Sequence, residues 1–392
     1  MHRILVTAAI GLLGAAATPA AVDWPGGAPM RPADTGIPLG PNLSGLTVDG
    51  AAGLWAVRDT GSLVHLDRAD AGWKRAPGDS GERVLKYPGG QGSPDSEAVT
   101  TVATEGAAVY VASERDNRAP AASRNSILRF DTSGTGALTA TREWKLEPIF
   151  ASTPANTGVE SIAWIPDSIF VAMGFRNGSG KAYSPAEYPD HGSGLFATAV
   201  ETRGDIVFLA LRGDGQVTQV GTAATGLDAI MDLSWNAARQ ELWATCDNYC
   251  KGQAAVLQVG HGAFQVAAIV RPPAGMEALN DEGFAIVPTC TNGIMLAVWS
   301  DDGASGGTSL REAPLPCDRV APLVAAPATT VGSTISASPT SATPAVSTTT
   351  ATTTTQPSTP HGSGRSAWYL GAGAVVIGIG AVVARRVRRR RR

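Results

Sequence analysis

The sequence predicts an all-β fold: a β-propeller of five clear repeats, with a sixth blade expected, followed by a disordered stalk and one C-terminal transmembrane helix. Three observations predict it. A hairpin-forming unit recurs in order along the chain, composition changes abruptly near each end, and the two terminal segments carry the patterns of an export signal and a membrane anchor.

The clearest copy of the unit is PDSEAVTTVATEGAAVYVASERD, from Pro94 to Asp116. Alternating small and β-branched residues follow Glu97, a Gly turn intervenes, and a more apolar strand ends on Glu114, which is a hairpin signal. SILRFD, from Ser126 to Asp131, reads as a third strand. Further copies are NLSGLTVDGAAGLWAVRD from Asn42, NTGVESIAWIPDSIFVAMG from Asn156, IMDLSWNAARQELWATCDN from Ile230 and LNDEGFAIVPTCTNGIMLAVWSDD from Leu279. Short strands repeating at this period suggest propeller blades. The strands from Asp205 to Val220, with the segment after Ala21, are the material expected for a sixth blade.

The ends differ from this middle. Residues 1–21 have a basic start, an apolar run and small residues toward Ala21, the pattern of a secretory signal. The propeller ectodomain is expected over 22–324. Residues 325–366 form a Thr/Pro/Ser-rich linker that cannot bury a core. The apolar stretch 367–384, with Trp368 and Tyr369 at one end, suits a single membrane span, and the basic tail 385–392 suits its cytoplasmic side. The expectation is a cell-membrane protein with its propeller outside.

The chain holds 31 Lys plus Arg and 34 Asp plus Glu. Without Arg3 and the seven arginines of the tail, 23 basic residues face 34 acidic ones, a net charge near −11. An acidic exported domain argues against nucleic-acid partners and fits cation binding. Four cysteines in an oxidising compartment suggest disulfides, with Cys246–Cys250 and Cys290–Cys317 the favoured pairing. A zinc site would need more ligands than His261, the histidine near the C-x3-C.

Two columns of the repeat carry the candidate chemistry. The residues opening the first strand are Ser44, Glu97, Glu160, Met231 (beside Asp232) and Glu282, expected to ring the central channel. Converging carboxylates repel, and calcium, which takes six to eight oxygens, suits Glu97, Glu160 and Glu282. The alternative is that they accept hydrogen bonds from a neighbouring blade. The residues closing the second strand are Asp59, Glu114, Gly174, Asp247 and Ser300 with Asp301; with Arg115 they make a rim site or cap turns. The loop 174–194, with Arg176, Lys181, Tyr183, Tyr188 and His191, is the first candidate for substrate contact. The repeated aromatics Trp55, Trp243, Tyr110, Phe170, Trp164 and Trp235 read as inter-blade core rather than a carbohydrate platform.

Complete hydrolase signatures are absent from the sequence. GDSG at Gly78–Gly81 lacks any Ala-Ala-His-Cys-like partner, the chain does not alternate strands with helices as a G-x-S-x-G nucleophile elbow requires, and there is no Walker loop or H-E-x-x-H.

The ordered set L-S-G-L, D-S-E-A-V, S-E-R-D-N, G-V-E-S-I-A-W, L-W-A-T-C-D-N and N-D-E-G-F-A-I, over about residues 40 to 317, resembles the phytase-like propellers described as "esterase-like activity of phytase" and the related SdiA-regulated propellers. The resemblance implies a calcium-associated, usually six-bladed, exported bacterial propeller whose family name suggests ester hydrolysis. The family's blade openings fall on Glu97, Glu160 and Glu282, while Ser44 and Met231 depart from the pattern. Residue chemistry and resemblance pull apart here. The absent nucleophile and base favour a cell-surface binding module for an unknown ligand; the resemblance favours a calcium-dependent phosphate-ester or carboxylic-ester hydrolase.

Overall fold

The computed structural model describes residues 19–34, 39–50, 53–76, 82–151 and 153–319. They form an all-β propeller of five blades, each with its first strand innermost. The inner strands are Leu43–Asp49, Pro94–Thr100, Val159–Pro166, Asp232–Asn236 and Asp281–Thr291, and they neighbour one another in ring order, the fifth against the first. Most of the expected export signal, the linker, the apolar stretch 367–384 and the tail lie outside the described residues, as does GDSG. Among the described residues, no helix is long and apolar enough to cross a membrane.

The expected sixth blade is replaced by a fuller third one. In the sequence, DSIFVAMG reads as the second strand of the Asn156 repeat, but Asp167–Ala172 is a short helix. A brief apolar run is compatible with either state, and tertiary packing decides: Phe170 is fully buried among Phe175, Tyr183, Phe208 and Phe264. The second strand of blade 3 is Gly194–Val200. The strands Asp205–Leu211 and Val217–Ala224, expected to begin another blade, are its third and fourth.

The N-terminal segment is divided between two blades instead of building one. Ala21–Val22 adds a parallel edge to blade 4, and Arg31–Pro32 supplies the outer strand of blade 5. Ala21, the last residue of the expected signal, is thus already in a ladder, opposite Ile269. Trp24 lies between these strands, with Trp243 of blade 4 on one side and Trp299 of blade 5 on the other. Blade 2 similarly lends Leu138–Thr139 to the outermost strand of blade 1, Arg83–Lys86.

Small and β-branched residues on the inner strands allow the close approach that five blades require. Gly45 and Gly283 sit where a Cβ would collide with the Glu97–Ala98 backbone and with Ser44 respectively. The aromatic columns fill the spaces between blades. Trp55 and Trp243 are buried in separate inter-blade clusters, Tyr110 and Trp164 share a third, and Trp235 packs at the edge of a fourth. Both disulfides have the favoured pairing, Cys246–Cys250 and Cys290–Cys317.

Candidate functional site

In an antiparallel hairpin the start of the first strand and the end of the second lie at one edge, so both candidate columns fall on the same face of the disc. The ladders show how the opening residues are presented. Register shifts at Leu43/Leu46, Ser96/Ala98, Val159/Ser161 and Asp281/Gly283 leave an extra residue on the inner strand at the Ser44–Gly45 step and at Glu97, Glu160 and Glu282. Such bulges re-aim a side chain out of the regular alternation.

The same registers align the closing column. Asp59, Glu114, Glu201, Asp247 and Asp302 occupy equivalent places, so all five blades carry a carboxylate there. Gly174 does not belong to this set, because the helix displaces the second strand of blade 3; Glu201 takes the position. Asp302, rather than Ser300, holds it in blade 5.

Two residues before each of these four bulges stands a third column: Asn42, Asp95, Gly158 and Asn280. Its chemistry decides what the acids do. In blade 5 the Asn280 amide donates to Glu282 Oε1 at 2.9 Å and to Asp302 Oδ2 at 3.2 Å, bridging two acids. In blade 1 the Asn42 amide donates to Asp59 Oδ2 at 3.0 Å. In blade 2 the corresponding residue is Asp95, which brings a third carboxylate where Asn280 brings a donor. Ligand oxygens of Asp95, Glu97 and Glu114 lie within 4.8 Å of one another, and all three residues are buried.

Two unit charges at that spacing repel by roughly 3 kcal/mol at an effective dielectric near 20. Part of this is answered within the protein. Arg115 Nε lies 2.6 Å from Asp95 Oδ2 and its Nη2 lies 3.8 Å from Glu114 Oε1, while Gly158 N–H donates to Glu114 Oε2 at 2.9 Å. Three carboxylates and one guanidinium still carry two negative charges in excess. An all-oxygen, anionic, buried donor set fits a hard divalent cation such as calcium.

The other opening carboxylates are placed differently. Glu282 accepts from Ser44 Oγ (3.2 Å) of the next blade as well as from Asn280. Glu160 is buried at its own bulge in blade 3 and is not part of the Asp95–Glu97–Glu114 group. The axis between the inner strands is crossed by Asp232, the residue beside Met231. Its Oδ2 accepts the Phe284 N–H (2.8 Å) and the Leu46 N–H (3.3 Å), and its Oδ1 accepts that of Leu233 (2.8 Å). Burial pushes this carboxyl well above the usual range although the three amides oppose it.

Asp281, the neighbour of Glu282, is also raised well above the usual range, by burial and then by the nearby charges of Asp301, Asp247 and Glu282 against the relief of Arg311. A carboxyl with a raised folded-state pKa adds stability below its unfolded value, about 3.9, and that contribution is lost as pH climbs through the folded value. Asp281→Asn should therefore melt a few degrees above the wild type at pH 7, with the gain vanishing toward pH 4 in a thermal-melt series.

The remaining predicted site residues lie on the opposite face, because loop 174–194 follows the end of an inner strand. Asp59, Glu114, Arg115 and Asp247 are thus on one side, and Arg176, Lys181 and His191 on the other. Arg176 donates to its own loop at Gly180 O (2.8 Å) and Lys181 is exposed. His191 Nε2 meets Asp167 Oδ2 at 3.1 Å and its Nδ1 meets Tyr188 O, so one ring nitrogen tethers the loop to the helix and the other braces the loop itself. Tyr183 O–H donates to the same carboxylate at 2.7 Å.

A family model described as "Phytase-like: Esterase-like activity of phytase" matches residues 39–183, which hold blades 1 and 2 and the start of blade 3, including the Asp95–Glu97–Glu114 group. No functionally curated protein matches the sequence. Among solved structures, the chain is similar to a protein from Lactobacillus plantarum (13% identity, 69% of this chain and 67% of that one, TM-score 0.33). It is similar also to Kuenenia stuttgartiensis hydrazine synthase (12% identity, 67% and 57%, TM-score 0.34). A third similarity is to a chain of a mitotic checkpoint complex (10% identity, 80% and 98%, TM-score 0.38).

Proposed function

We propose that the chain is an exported, membrane-anchored propeller that serves as a cell-surface binding module, with a calcium site formed by Asp95, Glu97 and Glu114. The observation that carries the calcium site is the exchange of Asn for Asp in the third column. Blades 1 and 5 satisfy their rim acids with an amide; blade 2 gathers three acids instead. A cation bound among them would take the place of the amide donor and lock the second strand of blade 2 to its inner strand.

Export is supported by the signal-like start and by two disulfides, which persist in oxidising compartments. Anchoring is supported by the apolar stretch 367–384 and the arginines after it. Binding rather than turnover is supported by the employment of the rim acids. Asp59, Glu114, Asp247, Glu282 and Asp302 each accept hydrogen bonds that hold strands and turns in place. The second reading, a calcium-dependent hydrolase of phosphate or carboxylic esters, is favoured by the family description matched over residues 39–183.

The test is metal analysis of the full chain and its melting temperature before and after chelation. Stoichiometric calcium is expected, and a ligand at a hundred times its Kd stabilises by about 2.7 kcal/mol, so chelation should lower the melting point by several degrees. Asp95→Asn, which restores the residue found in blades 1 and 5, should abolish calcium binding while melting at least as high as the chelated wild type. A metal-free protein indifferent to chelator would sink the calcium site. Turnover of ester or phosphate-ester panels that disappears in Asp95→Asn would replace the binding reading by the hydrolase.

A further inference from the structure

A cavity of about 310 Å³ lies between blades 2 and 3 on the face opposite the carboxylate rim. It is bounded by the turn after the blade 2 inner strand (Val102, Glu105) and by the end of the blade 3 loop (Asp190 to Ser193). Its volume is at the lower end of the range for small-ligand sites, about 300–1,000 Å³, so it admits a unit the size of one sugar ring.

The walls are aromatic: Tyr110, Trp144, Trp164 and Phe196. They are rigidly set. Tyr110 stacks on Trp144 at 5.8 Å and packs on Phe196 at 4.8 Å, and the Trp144 indole N–H donates to Arg212 O at 2.8 Å. The rings belong to the inter-blade core, each less than a tenth exposed, and their fixed exposed margin offers dispersion contacts to a ring ligand at little entropic cost.

The charges sort into one neutral group and two available ones. Glu105 accepts from Tyr110 O–H (2.6 Å) and from Arg129 Nε (2.8 Å), so that acid and that guanidinium satisfy each other. Arg142, half-buried on the outer strand Arg142–Lys145, forms no ion pair among the described residues. Its guanidinium lies 5.7 Å from the Trp144 ring centroid, at the cavity wall. A planar fork beside an aromatic wall is suited to a carboxylate, which it can grip with two parallel hydrogen bonds. Asp190, exposed at the same mouth, can accept bonds from hydroxyl groups.

We propose that this cavity is a recognition site for a hexuronate, its carboxylate on Arg142, its hydroxyls toward Asp190 and its ring against the aromatic wall. The proposal deepens the binding-module reading and rests on it, but shares no residue with the calcium site. The unit can be a free uronic acid or one residue of an acidic surface polysaccharide, since the pocket sees the same chemistry in both.

The experiment is calorimetric titration of the full chain with galacturonate, glucuronate and tetragalacturonate, with galactose and glucose as neutral controls. The uronates are expected to bind and the neutral sugars to bind at least tenfold more weakly. Arg142→Gln should lose about tenfold in uronate affinity, or 1.4 kcal/mol, at an unchanged melting temperature. Arg142→Lys, which keeps the charge without the fork, should fall between and guards against a folding artefact. Tighter binding of tetragalacturonate identifies a polymer-borne unit, and equal affinity a free acid. Neutral sugars binding as well as uronates, uronate affinity untouched in Arg142→Gln, or no uronate binding at millimolar concentration would each overturn the assignment. Absence of uronate binding with the calcium transition intact removes this pocket alone, leaving the rim as the binding surface to search.

Discussion

Asp232→Ala lowers the melting temperature by roughly 10 °C, the result expected if one carboxylate holds three blades together across the axis. The substitution strips acceptors from Leu233, Phe284 and Leu46, whose amides lie in blades 4, 5 and 1. Each amide left without a partner in a dry interior costs about 1–3 kcal/mol, and water entering the space recovers part of this. A net loss of roughly 4 kcal/mol is the expectation, at about 2–4 °C of melting temperature per kcal/mol for a domain near this size. Asp232→Asn is the sharper probe. It keeps the volume but leaves one oxygen to serve three donors, so it should also destabilise, by less than the alanine variant. If the asparagine variant melted with the wild type, the three-way bridge would be idle and shape alone would matter at the axis.

Trp24→Ala is the second large effect, expected at about 3–5 kcal/mol, the range for truncating a buried indole. Trp24 is 8% exposed, with edge-on contacts to Trp243 at 6.0 Å and Trp299 at 5.2 Å, and its N–H reaches Pro314 O at 2.7 Å. Its removal empties the seam between the last two blades where the N-terminal strands are clasped on. The loss should therefore be accompanied by faster proteolysis near residues 19–34, which Asp232→Ala should not produce before global unfolding. Equal proteolysis of that segment in both variants would mean that the clasp is not a separate unit. Trp24→Phe, which keeps the ring but not the donor, should recover most of the stability.

The repeat was legible because inner strands must alternate and because turns need Gly, Asn and Asp, and both constraints write themselves into residue types. All five inner strands could be read in this way, and the two disulfides from the even cysteine count and the places of the cysteines in the repeats. The blade count could not. Counting depended on whether Ile169 to Met173 formed a strand, and five apolar residues do not distinguish the two states until Phe170 meets its aromatic partners. That one misreading removed Glu201 from its column and left two strands of blade 3 to be assigned to a sixth blade.

The acidic group of blade 2 was half visible. Glu97, Glu114 and Arg115 stand in or beside the repeated columns, but nothing in the residue pattern alone singles out Asp95. Its meaning comes from comparison with Asn42 and Asn280, which requires the ladder registers and their bulges. A bulge inserts a residue without a sequence signature of its own, so the repeats shift by one position there with nothing in the residue types to mark it. The Asp281/Gly283 bulge likewise hides from the sequence that Asp302, rather than Ser300 or Asp301, closes the column in blade 5. The cavity beside Arg142 had no sequence signal at all, because its wall is assembled from two blades and a loop.

The division of the N-terminal segment between the last two blades sets an order of events during synthesis and folding. Arg31 pairs with Glu312 and Ala21 with Ile269, so the first stretch to emerge has to wait for the last to arrive. Such distant pairings are the slow ones in folding. Until the final hairpin is delivered, the nascent disc is an open arc with two raw edges, available to chaperones and to neighbouring chains alike. The yield of folded protein should then depend more on the speed with which residues 281 to 316 follow than on the stability of the finished ring.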